Sequence, residues 1–297
     1  MAKKKRTEIV AGEVIEKPES QLKVMWDTLK KNKAALAGLV VIILLIFLAI
    51  FGDLLAPYDP EYSDMAHTFV KPCAEYWFGT DQLGRDIFSR VLSGTKVSLL
   101  VGLSAVAFSL VIGTILGSVA GYFGGKVDGF IMRCMDIMLS IPSILLAIFI
   151  SAVLGRGLVN TMIAIGIVNI PVFARTVRAS GISAKGLEYV QNAKSVGVRT
   201  GAILIRHISP NVVAPFTVQA TLALSSAILT EASMSFLGLG IQPPDPSWGS
   251  MLSEARTFME QAPWMAVFPA LFIIVTILLF NILGDSLRDV LDPKLKL

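Results

Sequence analysis

The chain has 297 residues, of which 54% are hydrophobic and 16% are charged, and its formal net charge is +4. A typical soluble domain carries about 25% charged residues, so the composition argues against an ordinary soluble protein. Many of the basic residues precede the first long apolar segment, which is typical of the cytoplasmic side of a membrane and disfavours a nucleic-acid-binding function.

Six apolar segments are each long enough to form a membrane-spanning helix, which needs about 20 mostly apolar residues. Strands of membrane barrels are only about 10 residues long and alternate in polarity. We therefore predict an all-α polytopic membrane protein. The predicted spans are Ala34–Leu55, Val97–Tyr122, Phe130–Leu154, Leu158–Thr176, Val212–Phe236 and Trp264–Leu283.

The distribution of lysine and arginine predicts that both ends of the chain lie in the cytoplasm. Residues 1–33 form a polar, basic tail, and six spans return the other end to the same side. Apolar residues around Trp26 recur at helical spacing, which favours a short amphipathic helix on the inner membrane surface. A flexible tail with a helical last turn remains the alternative. Residues 34–297 are predicted to form one membrane domain.

Two long segments are predicted to lie outside the membrane, at residues 56–96 and 238–263. The first contains several prolines, and its final part, Leu83–Leu92, has helical spacing. Trp248 and Trp264 are residue types that favour the boundary between water and lipid. Both segments are candidates for contacting an extracytoplasmic delivery protein.

One polar segment, residues 183–207, separates the fourth and fifth predicted spans. Its lysines and arginines place it on the cytoplasmic side. Its spacing permits a surface helix, and the small residues Ala193 and Gly197 would let another protein approach closely. We therefore predict a contact surface for a partner.

Three sequence patterns resemble those of a known family. Gln191-Asn192-Ala193, followed at fixed spacing by Gly197 and Pro210, resembles the EAA loop of bacterial ABC-importer permeases, although Gln191 and Asn192 depart from the family pattern. The segments Phe78–Arg90 and Gln242–Gly249 resemble signatures of the second, C-type permease of dipeptide, oligopeptide and nickel importers.

The resemblance implies a type I ABC-importer permease fold in the bacterial inner membrane. It also implies a heterodimer with a related permease, two cytosolic ATPase subunits that bind ATP and Mg, and an extracytoplasmic substrate-binding protein. No cofactor is expected in this chain. Peptides are favoured over nickel or another small solute because of their frequency in the family. The residues expected to couple to the ATPases are Glu188, Gln191, Asn192, Ala193, Gly197, His207 and Pro210.

Polar residues inside spans are costly and usually face protein or water. Glu231 and Asn169 are therefore candidates for lining a transport pathway, with structural hydrogen bonding as the alternative. Arg133 and Asp136 lie three residues apart and are expected to pair on one helix face. Small residues four apart in the second span, at Gly113, Gly117 and Gly121, predict close helix packing.

Residue patterns for catalysis or energy conversion are absent from the sequence. The chain has no phosphate-binding P-loop and no paired metal-ligand spacing, and His67 and His207 are its only histidines. Energy is therefore expected from a partner or an ion gradient. An ion-coupled transporter is disfavoured because the acidic residues cluster near span ends, and a membrane enzyme would lack a nucleophile–base pair.

Overall fold

The structure is a computed structural model that describes residues 33–198, 202 and 209–291. Its regular structure in these residues is helical, with one isolated β-bridge between Thr80 and Asp86. The tail prediction, including the helix around Trp26, lies outside the described residues. The described α-helices are α1 Lys33–Leu55, α2 Ile87–Phe123, α3 Gly125–Ser140, α4 Ser143–Leu154, α5 Leu158–Lys185, α6 Glu188–Ser195, α7 Ser209–Phe236, α8 Trp248–Ala255 and α9 Trp264–Leu291.

Four of the described helices are long and apolar enough to cross a membrane, or five spans if the bent pair α3–α4 is counted as one. The four are α1, α2, α5 and α9. Helix α7 has 28 residues and contains the predicted fifth span. The polytopic helical fold is thus confirmed, whereas the count of six spans and the cytoplasmic position of both ends stay predictions.

The third predicted span, Phe130–Leu154, is wrong as a single straight helix. Helices α3 and α4 meet at an angle of 97°. Pro142 has no backbone N–H and disfavours helical geometry in the residue before it, and Ile141 is extended, with φ −97° and ψ 132°. The chain therefore turns sharply in the middle of an apolar run.

Helices α2 and α5 pack closely in the centre of the molecule. A Cβ atom at Gly113 would meet Phe173, and one at Gly117 would meet Ala174 and Val177. Gly121 similarly approaches Arg178. Because these glycines have no side chain, the backbones of α2 and α5 can come close together. The predicted role of the glycines in helix packing is therefore confirmed.

Apolar side chains also cover much of the outer surface of the helices. On α1, Val40, Ile43, Ile50 and Leu54 are all more than half exposed. A soluble protein would not leave such a continuous apolar face in water, whereas lipid tails solvate it. The buried core lies between α2, α5, α7 and α9 and includes Ile165, Phe173, Ile228 and Met234.

The segments predicted to lie outside the membrane contain more helix than expected. Helix α2 begins at Ile87, because Asp86 caps it by accepting a hydrogen bond from the Ser89 amide, and then runs on into the second span. The prediction that Trp248 lies at the lipid boundary is wrong. Its side chain is fully buried, and its ring N–H donates to the carbonyl oxygen of Val91 at 3.2 Å.

Candidate functional site

The predicted coupling segment forms a short exposed helix, α6. Glu188 lies in its first turn, where its negative charge interacts favourably with the positive end of the helix dipole. The side-chain amide of Gln191 donates to the Gly186 carbonyl at 3.2 Å, which gives a hydrogen-bond partner to a backbone carbonyl in the turn before α6. Asn192 is exposed, and Ala193 is partly buried. Val190 is buried and anchors the helix to the rest of the molecule.

Gly197 ends α6 in a left-handed conformation with φ +82°. The Val198 amide donates to the carbonyl of Ala193, five residues earlier, at 3.1 Å. This is the hydrogen bond of a Schellman motif, in which a glycine ends the helix. A Cβ atom at this position would meet none of the described residues within 4 Å. The backbone conformation therefore favours glycine here, and the described part of the chain leaves the space beside it open.

Large apolar side chains are exposed around α6. Leu187 and Tyr189 are each 43% exposed, and Val196 is 83% exposed. Exposed apolar clusters of this kind are typical of surfaces that contact another protein or the membrane. Of the remaining predicted coupling residues, His207 lies outside the described residues. Pro210 falls within α7, and its side chain is likewise outside them.

A second cluster, the outer ion network, consists of Asp81, Arg85, Arg90 and Glu254. Arg85 donates to Asp81 at 2.6 Å and to Glu254 at 2.5 Å. Arg90 donates to Glu254 at 3.2 Å and is only 2% exposed as a side chain. Two cations and two anions balance in this cluster, which makes their burial tolerable.

The outer ion network joins the two outer segments, since Glu254 lies on α8 and its partners precede or begin α2. Gly84, with φ +73°, lets the loop bend until a Cβ there would overlap the Asp64 carbonyl. The sequence motif Phe78–Arg90 therefore builds part of a folded cap at the start of α2, on the side predicted to lie outside the membrane. Sequence reasoning missed Glu254, because its partners are more than 160 residues away and no local spacing signals the contact.

Glu231 is fully buried and accepts hydrogen bonds from two serines. Ser235 donates at 2.8 Å from the same helix, and Ser98 donates at 3.3 Å from α2. Ser98 also accepts from the Trp248 amide at 3.3 Å. The carboxyl group thus links α7 to α2, and Ser98 continues the contact to the start of α8.

Asn169 is nearly buried in α5 and donates to the carbonyl of Ile165 one turn earlier at 2.9 Å. The Asn169 side chain therefore lies inside the subunit, hydrogen-bonded to its own helix. The expected pair of Arg133 with Asp136 is wrong. Asp136 instead accepts from Arg175 of α5 at 2.5 Å, because α3 packs across α5. Asp128 pairs with Arg178 on the same two helices.

The described residues contain no group of three or more His, Cys, Asp or Glu side chains arranged to hold a metal ion. An open apolar groove of about 420 Å³ lies between α4, α7, α8 and α9, with Ile144, Leu229, Phe236 and Ile273 among its lining residues.

Two family models match the chain. Residues 113–297 match the inner membrane component of binding-protein-dependent transport systems. Residues 20–72 match the N-terminal transmembrane domain of oligopeptide transport permease C. Together they cover both ends of the membrane domain.

Full-length relatives are similar over nearly the whole chain. The dipeptide transport system permease protein DppC of Alkalihalophilus pseudofirmus is 50% identical, over 91% of this chain and 89% of that protein. The di/tripeptide permease protein DppC of Pseudomonas aeruginosa is 45% identical over 93% of each. The glutathione permease protein GsiD of Escherichia coli is 48% identical over 91% of this chain and 90% of its own length.

A solved structure of the MetNI methionine ABC transporter has a similar fold, with a TM-score of 0.53 and 17% identity. The match covers 68% of this chain and 96% of the other chain. Because the identity is low, the likeness concerns the fold alone. The fold is that of a type I importer permease in the bacterial cytoplasmic membrane. The chain belongs to the family of binding-protein-dependent transport inner membrane components, as a non-catalytic, C-type permease subunit of an ABC importer.

Proposed function

We propose that this chain forms half of the translocation pathway for dipeptides and short oligopeptides. The observation that carries the proposal is the similarity, at 45–50% identity over more than nine tenths of the chain, to permease proteins named for dipeptide and di/tripeptide transport. The other half of the pathway is a related permease subunit, and a substrate-binding protein delivers the solute to the outer cap.

Helix α6 is the proposed contact with the cytosolic ATPase subunits, through Glu188, Gln191, Asn192, Ala193 and Gly197. The exposed side chains of Leu187 and Val196 support this role, as does the space beside Gly197, which no described residue fills within 4 Å of a Cβ atom there. ATP binding closes the ATPase pair, and the attached helices then move as rigid bodies between inward-open and outward-open states. His207 and Pro210 remain part of the proposed contact because of the EAA-like pattern.

Glutathione is a second candidate substrate. Relatives named for glutathione transport are 46–48% identical, a range that overlaps that of the peptide relatives. Glutathione is itself a modified tripeptide, so both candidates require a pathway that accepts a short chain with charged ends. Nickel or another small solute remains the alternative within the same machinery, and an ion-coupled transporter is the remaining one.

Competitive uptake separates these substrates. Cells lacking their own peptide and glutathione importers would express this chain with its neighbouring transporter subunits. We expect ATP-dependent uptake of labelled dipeptide that excess unlabelled dipeptide suppresses. Suppression by glutathione alone would favour the second candidate, and uptake of nickel with no peptide effect would contradict the proposal.

A further inference from the structure

Helix α3 has an exposed side that carries both cations and large apolar side chains. Four exposed residues follow one another at steps of four, three and four, which places them on one side of the helix: Lys126, Phe130, Arg133 and Ile137. Phe130 is 72% exposed and Ile137 is 59% exposed. We call these four residues the α3 stripe.

The opposite side of α3 packs against the rest of the molecule. Met135 is buried there in a cluster with residues of α5. Asp128 pairs with Arg178, and Asp136 pairs with Arg175, so both acidic residues of α3 have a partner on α5. The two cations of the α3 stripe have no ion-pair partner among the described residues. The stripe is therefore a cationic and apolar surface that this part of the chain leaves uncovered.

Neither bulk water nor hydrocarbon alone suits this helix. In water, Phe130 and Ile137 would leave large apolar side chains exposed. In hydrocarbon, the Arg175–Asp136 pair would be costly, because its side chains are 51% and 48% exposed. At the membrane surface, apolar side chains reach the acyl chains while charged groups stay among headgroups and water. Helix α3 thus has the residue pattern of an interfacial helix.

The neighbouring helix α4 shows the contrasting pattern. It contains no charged residue, and the exposed side chains of Leu145, Phe149 and Val153 form an apolar stripe along it. The 97° angle between the two helices lets α4 enter hydrocarbon while α3 stays at the surface. Along the chain, the uncovered surface therefore changes from cationic and apolar on α3 to purely apolar on α4.

We propose that the α3 stripe binds anionic phospholipid headgroups at the membrane surface. Lys126 and Arg133 contact the phosphates, and Phe130 and Ile137 insert between the acyl chains beside them. Charge complementarity selects this occupant, because the stripe has two cations and no acid. Each basic residue near an anionic membrane surface favours binding by about fivefold. Helix α3 follows the end of α2 opposite the cap, so this surface is predicted to be the cytoplasmic one.

Quenching by brominated lipids measures which lipids surround a chosen residue. Cys73 and Cys134 would first be replaced by Ser, and a bimane fluorophore attached at Phe130→Cys in the complete complex in liposomes. Two sets of liposomes contain equal amounts of phosphatidylglycerol and phosphatidylcholine, with bromine on the first lipid in one set and on the second lipid in the other. The ratio of the two quenching values gives the local preference for the anionic lipid. Leu44→Cys, which lies 50% exposed in the charge-free middle of α1, is the matched control.

We expect the local ratio of phosphatidylglycerol to phosphatidylcholine to be about fivefold higher at 130 than at 44. Lys126→Gln combined with Arg133→Gln should reduce the ratio at 130 to the value at 44. The charge-conserving exchange of Lys126→Arg with Arg133→Lys should keep the preference, because it rests on charge and not on one side-chain shape.

An equal ratio at 130 and 44 in the assembled complex would overturn the proposal. Quenching by neither lipid at 130, together with cross-linking of Phe130→Cys to another subunit, would also overturn it, because protein would then cover the stripe. The lipid preference is measured without transport, so a failure of peptide uptake would contradict the proposed substrate and leave the lipid site standing.

Discussion

At the scale of single residues, Gly197 combines a backbone conformation that favours glycine with a place on the proposed docking surface. Gly197 stands at the spacing of the EAA-like pattern, and it also adopts a conformation that favours glycine. The sequence could predict the glycine and its neighbourhood, but the two reasons for it are separable only by substitution. Glu231 is the reverse case. The sequence marked it as unusual, but local spacing could not predict its partner Ser98 on α2, which lies 133 residues away along the chain.

At Gly197, the change to Asn is expected to be mild, because asparagine tolerates a left-handed conformation. Gly197→Ala should cost about 1 kcal/mol in the ordering of the end of α6. Gly197→Arg carries the same strain and adds a bulky cation to the proposed docking surface, so uptake and ATPase pull-down should fall below those of the Ala variant. Equal pull-down by the Ala and Arg variants would remove the docking role and leave only the helix end.

At Glu231, replacement by Ala should lower the free energy of unfolding by about 1–3 kcal/mol, because buried serine hydroxyls lose their acceptor. Glu231→Gln keeps the shape and one acceptor oxygen, and should cost less. The measurement is the unfolding midpoint of the purified complex in detergent. If the Ala variant unfolds at the same temperature as the parent but loses uptake, Glu231 acts on the solute and the structural role is wrong.

Helices and their junctions show where local sequence patterns succeed and fail. Length and apolarity predicted α1, α5 and α9 well, and glycine spacing predicted the α2–α5 contact. The same criteria merged α3 and α4 into one span, because apolarity does not register a single proline at a helix junction. They also could not pair Glu254 with arginines more than 160 residues away, since such a pair exists only after the helices pack.

The outer ion network makes the contact between α8 and the start of α2 sensitive to one carboxylate. Glu254→Ala leaves two largely buried guanidinium groups with a single anion, and should cost about 3–5 kcal/mol. The exposed pair of Lys96 with Asp53 is the matched control, and Asp53→Ala should cost less than about 1 kcal/mol. Unfolding midpoints and protease cleavage within residues 56–96 report the loss. Equal stability of the two variants would contradict this account of the cap.

The whole molecule is a helical membrane subunit with exposed apolar faces, as on α1, and a short exposed polar helix, α6. The sequence predicted a polytopic membrane protein in outline, because charge placement and apolar length are properties of the chain alone. Which exposed face meets which neighbour depends on the assembly, and so lies beyond the information in one sequence. The six-span topology with both ends inside stays a prediction, and it decides on which side of the membrane each face lies.

Topology is tested by the side from which single cysteines react. Cysteines at Gly155 and Asp245 should react with an impermeant reagent added outside, and a cysteine at Lys126 should react only after the membrane is opened. The reason is that the segment around Lys126 joins α2 and α3 at the side predicted to be cytoplasmic. Reaction at Lys126 from outside in sealed cells would reverse the proposed orientation.

Reconstitution tests the central claim most directly. The purified chain alone should not hydrolyse ATP, because it has no phosphate-binding loop. The second measurement uses liposomes that hold the complex of this chain with its related permease, ATPase subunits and binding protein. These liposomes should accumulate labelled dipeptide only when ATP is present on the side of the membrane where the ATPase subunits lie. They should do so without an ion gradient, and Gly197→Arg should abolish the uptake. Dipeptide accumulation driven by an ion gradient in the absence of ATP, or by this chain alone, would contradict the account.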